Sequence, residues 1–76
     1  MDYLLNQDDI ILKTNISDVK RISDIEPSLD VHSNVIQWNV DLNDIDNVLR
    51  VLSDNISGVE VENLLQQEGY YCEELK

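Results

Sequence analysis

The side chains of this 76-residue chain that could bind a metal or perform covalent chemistry are few. Cys72 is the single cysteine and His32 the single histidine. One thiol can close no internal disulfide and cannot form the paired-thiolate site that a soft ion prefers. Cys72 also lies in an alternating segment that turns it inward, where a thiol behaves as a small inert core group. His32 falls in a loop after a helical segment, without a second histidine or a cysteine beside it, which is too little for a metal centre. Asp41, Asn43, Asp44 and Asp46 have the composition of part of a calcium loop, but the glycine and distal glutamate that such a loop needs are missing, so the segment reads as a solvated turn. No nucleophile stands next to a base, and no glycine-rich loop is present to cradle phosphate. The chain is therefore read as a non-enzyme with no catalytic residues and no cofactor.

Charge restricts the partners. Sixteen acidic against five basic side chains give a formal net charge of −11, which repels nucleic-acid phosphates and anionic membrane surfaces. Nucleic acid and membrane are excluded as partners on this ground, and no stretch is apolar for long enough to span a bilayer. Tyr3, Leu4 and Leu5 form a short apolar group with no basic lead, unlike a secretion signal, and a lone cysteine suits a reducing compartment; the expected location is cytoplasmic.

The elements that must position these residues follow from periodicity. Ile10, Leu12 and Thr14 alternate with Ile11, Lys13 and Asn15, the pattern of a half-buried strand, and Ser17 and Asp18 supply cap oxygens for a helix. Val19, Ile22, Ile25 and Leu29 recur every three or four residues, which predicts a helix to about Asp30 with that stripe against a sheet. Pro27 inside it predicts a kink or a loosened last turn. Ile36, Trp38, Val40 and Leu42 alternate with Gln37, Asn39 and Asp41, and turn residues then lead to a strand over 48–52, a hairpin. Ser57 and Glu60 have capping-box spacing, Val61, Leu64 and Leu65 form a second buried stripe, and Gly69 stops that helix before a strand within 70–75.

The order β-α-β-β-α-β gives an α+β, ferredoxin-like domain over 1–76, a four-stranded antiparallel sheet with two helices on one face. The expected core is Ile10, Leu12, Ile22, Ile25, Leu29, Trp38, Val40, Leu49, Val51, Val61, Leu64, Leu65 and Cys72. The other sheet face is left open. Parity turns Ile11, Val48, Leu52, Tyr71 and Leu75 onto it, beside Lys13, Arg50 and Glu73. Ile11, Val48, Leu52 and Tyr71 are the candidate interaction surface, for a protein partner or for a homodimer.

From the run Leu12-Lys13-Thr14-Asn15-Ile16, through Val35, Trp38 and Val40, the turn Asp41-Leu42-Asn43 and the pair Gly69-Tyr70, the chain resembles heavy-metal-associated domains. These are the copper chaperones and the small metal-binding modules of copper pumps, and the resemblance covers residues 9–75. In that family a Met-x-Cys-x-x-Cys motif opens the first helix, and its two thiolates hold Cu(I). Carried onto this sequence, the methionine position is Ile16 and the cysteine positions are Asp18 and Arg21. A guanidinium has no lone pair to give and repels a cation, and one carboxylate is a weak, hard ligand. Asp18 and Arg21, three apart, are instead spaced to pair across one helical turn. The resemblance thus implies the scaffold with a degenerate metal site. The function expected is a non-catalytic binding or regulatory module acting through protein contacts. The alternative is a metal-handling protein using carboxylates, His32 or Cys72.

Overall fold

Alternation along the first strand decides which side of the sheet becomes the core. The computed structural model describes residues 7–75, so residues 1–6, with Tyr3, Leu4 and Leu5, and residue 76 lie outside the described residues. Strand β1 (Gln7–Thr14) sends Ile10, Leu12 and Thr14 inward and leaves Asp9, Ile11 and Lys13 on the opposite face. Helix α1 (Val19–Asp30) follows, then β2 (Val35–Asp41), β3 (Val48–Asp54), helix α2 (Gly58–Gln67) and β4 (Cys72–Glu74). The spatial order is β2-β3-β1-β4 and every neighbouring pair is antiparallel, the ferredoxin-like arrangement expected from the element order.

Both helices belong to one cluster with the inward strand residues. Ile25 and Leu29 of α1 and Val61 and Leu65 of α2 are fully buried, together with Leu12, Leu49 and Val51 from the sheet. Cys72 is buried too. Ile22, Trp38, Val40 and Leu64, expected in the core, are only partly buried against it. Two residues that periodicity did not assign complete the core: Ile16, with no exposed surface, and Ile56.

Each helix begins on a side-chain cap. Asp18 holds the extended backbone of an N-cap and accepts from the Arg21 amide, while Ser57 and Glu60 make the reciprocal capping box. Pro27 lies inside α1, yet the helix continues to Asp30 and closes with the Val31 amide donating to the carbonyls of Leu29 and Pro27. Gly69, at φ +89°, takes the left-handed turn after α2 that a side chain would resist, and the next amide, of Tyr70, returns to the Leu65 carbonyl.

Two sequence expectations are corrected. Val19 is 69% exposed, because it is the first residue of α1 and its side chain precedes the stripe that meets the sheet. Ile36 is half-exposed because of a register shift: Val35 faces Ser53 while Gln37 already faces Leu52. Ile36 is the extra residue of a β-bulge, and the simple alternation through Ile36 fails there, leaving Val35, Trp38 and Val40 as the inward series.

Candidate functional site

The loop joining β1 to α1 is held from both sides. The Thr14 amide donates to the Asp46 carbonyl at 3.0 Å, and its hydroxyl donates to the Asn47 carbonyl at 2.7 Å while accepting from the Ile16 amide at 3.0 Å. One buried threonine thus ties the loop to the β2–β3 turn, whose Asn47 adopts a left-handed backbone with φ 45°. On the other flank the Asn15 amide donates to the Tyr71 carbonyl, and the Asn15 Oδ1 accepts from the Tyr71 amide at 3.0 Å. Ile16 drops its side chain into the core between these ties.

Asp18 and Arg21 meet as their spacing predicts. Asp18 Oδ1 accepts from the Arg21 amide at 2.8 Å, and Oδ2 is ion-paired with Arg21 Nη1. The amide bond first, then the neighbouring guanidinium, lowers the Asp18 carboxyl below its ordinary value. Both oxygens of the carboxylate are therefore engaged within the chain. Tyr70 closes the same end of the molecule: its hydroxyl donates to Asp24 Oδ2 at 2.8 Å, a bond that raises the phenol's pKa. The sequence pairs Tyr70 with nothing and gives Asp24 no signal beyond its position on the exposed side of α1.

His32 and Cys72 are not brought to that loop. His32 follows the C-terminus of α1, about 18 Å along the helix from Asp18, and its Nδ1 accepts from the Asn34 amide. Cys72 Sγ donates to the Glu62 carbonyl at 3.6 Å. Burial, with the Glu62 charge nearby, pushes the thiol up to about 11, so at neutral pH it is protonated and a poor ligand. Among the described residues no group of three or more His, Cys, Asp or Glu side chains is placed to hold a metal ion. Asp41 and Asp44 do not converge on a calcium-like centre. Asp41 Oδ1 accepts from the Asn43 amide and Asp44 Oδ1 from the Asp46 amide, the local bonds of a turn.

With these distances in hand the scaffold can be compared with known ones. No family model and no curated protein sequence matches the chain. Solved structures do. The yeast copper transporter domain Ccc2a is similar with a TM-score of 0.76 at 20% identity, over 90% of this chain and 94% of that one. The chain has the heavy-metal-associated fold. The N-terminal domain of ZntA in its apo form gives 0.77 at 22% identity over 92% and 94% of the two chains. MerP from Ralstonia metallidurans CH34, in an oxidised form, gives 0.77 at 11% over 92% and 99%. Identities this low establish the fold alone. Ccc2a is also similar as it stands in a solved Atx1-Cu(I)-Ccc2a complex.

The open face of this heavy-metal-associated fold is the second candidate region. Register gives its rows directly: Gln37, Leu52 and Asp9 lie side by side, then Asn39, Arg50 and Ile11, then Asp41 and Val48. Ile11, Val48 and Leu52 are half-buried by their neighbours, and Tyr71 is 51% exposed at the β4 end, its hydroxyl donating to Glu73 at 2.7 Å. A concavity of about 640 Å³ lies over this face, with Ile11 and Val48 in its floor and Asn39, Asp41, Asp44 and Arg50 around it. A smaller one of about 240 Å³ lies between Gln37, Arg50 and Leu52. No helix among the described residues is long and apolar enough to cross a membrane.

Proposed function

We propose that this chain is a non-catalytic binding module on the heavy-metal-associated scaffold, with the Cu(I) site lost and protein contact retained. One observation carries the reading: at the two positions where the resemblance puts cysteine, Asp18 caps the helix and holds Arg21 with both its oxygens. A cation approaching the loop meets a fixed guanidinium and a carboxylate already occupied, and the chain's one thiol lies elsewhere and is protonated. The partner would be another protein or a second copy of the chain, met at the open face around Ile11, Val48, Leu52 and Tyr71. A lone buried thiol supports a cytoplasmic setting.

Titration of the isotopically labelled chain with Cu(I) and with Zn(II), followed by amide shifts, tests the loss. The expected result is no saturable shift at Asn15, Asp18 or Arg21; stoichiometric binding there would sink the reading. The paired replacement Asp18→Cys with Arg21→Cys sharpens it. Because the loop remains tied by Thr14 and Asn15, the double variant is expected to gain Cu(I) binding measurable by chelator competition.

A further inference from the structure

The proposal that the chain works by protein contact leaves the chemistry of the partner unstated, and the larger concavity on the open face supplies it. Its floor is apolar, from Ile11 and Val48, with Leu42 at the turn beyond β2. Its rim toward the β2–β3 turn is anionic. Asp41 and Asp44 each give one carboxylate oxygen to a turn amide, and the other oxygen of each has no partner among the described residues. At the opposite rim stands Arg50, whose guanidinium has no hydrogen bond or ion pair among the described residues. In register Asp41 faces Val48 and Asn39 faces Arg50, so the anionic and cationic rims are a diagonal apart, about 7–8 Å.

We infer that this concavity takes an extended segment of a partner protein that carries an apolar side chain with a lysine or arginine two residues away, on the same side of the segment. The apolar group covers Ile11 and Val48, and the basic group lies against Asp41 and Asp44. Arg50 then takes a backbone carbonyl or a carboxylate of the same segment. The whole-chain charge of −11 draws such a segment in and opposes a second copy of this equally acidic chain. Lys13 and Arg50 offer an anionic ligand two cations on this face, but at the turn end of the concavity it meets the carboxylates of Asp41 and Asp44.

This inference rests on the protein-contact reading but can fail separately from it. The labelled full chain is titrated with two blocked five-residue peptides, Lys-Thr-Val-Thr-Lys and Glu-Thr-Val-Thr-Glu, whose first, third and fifth side chains share one side of an extended segment. The lysine peptide is expected to give saturable shifts at Ile11, Asp41, Val48 and Arg50, and the glutamate peptide none there. Asp41→Asn with Asp44→Asn should weaken the lysine peptide roughly three- to tenfold, whereas Glu26→Gln, a charge removed on α1, should leave its affinity nearly unchanged. Absence of a saturable shift overturns the inference. So do equal responses to both peptides, equal weakening by the Asp41→Asn and Glu26→Gln single variants, or face shifts produced by raising the protein concentration alone, which would identify a second copy. Metal binding at Asp18 would refute the lost-site reading and leave this result untouched.

Discussion

In the loop before α1, Thr14, Asn15 and Asp18 give their polar atoms to neighbours in the chain, while on the open face Arg50 and one oxygen each of Asp41 and Asp44 have none among the described residues. Ile16 in the loop is fully buried, and Ile11 and Val48 on the face are only half covered. The contrast separates two ways of using the same residue types. A threonine, an asparagine, an aspartate and an isoleucine make one region internally complete, and similar residues make the other a surface with bonds still to form.

Substitutions at Ile16 strike the complete region hardest. Ile16→Ala leaves a hole in a closed core and is expected to cost about 2–5 kcal/mol by urea denaturation, a large share of the stability of so small a domain. A loss under about 1 kcal/mol would mean that the loop collapses to fill the space, and the contrast between the regions would weaken. Thr14→Val keeps shape but removes the hydroxyl that serves both Asn47 and Ile16, and should cost about 1–3 kcal/mol in the same measurement. On the open face Val48→Lys, which sets a cation opposite Asp41, should cost less, about 1 kcal/mol or under, while abolishing the response to the lysine peptide. A cost matching that of Ile16→Ala would instead show the face to be a structural layer.

The smallest effect is a pH dependence confined to the loop. The folded Asp18 carboxyl lies below its ordinary value of 3.8, so the stability it contributes is present above that value and lost as pH falls through the lower folded value. The N-terminus of α1 should loosen in that acid range, seen as exchange broadening of the Arg21 amide. Asp18→Asn retains an N-cap oxygen but no charge, and should abolish the pH dependence while keeping the helix start.

Much of this architecture was legible because local signals agreed. Alternation placed Leu12, Leu49 and Val51, and the spacing of Ser57 and Glu60 placed the start of α2. Asp18 and Arg21 were paired correctly because one helical turn fixes their separation. What escaped had no period to reveal it. Ile16 and Ile56 lie in connections, where burial depends on which strand or helix the chain meets next. Ile36 violated its pattern because a bulge inserts one residue and reverses the phase of those before it. The Asp41 and Asp44 rim of the concavity was visible as a turn, but its relation to Arg50 and Ile11 exists only once three strands are in register.

That bulge also bears on what happens when the protein is concentrated. Strand β2 is an outer strand of the sheet, and a neighbouring molecule could in principle extend the ladder along it. The extra residue at Ile36 breaks the even spacing of amides and carbonyls on that margin, and β4, the opposite margin, has three residues. Neither border offers a long regular template, so the domain can keep its open face in solvent while presenting little edge for a neighbour to extend.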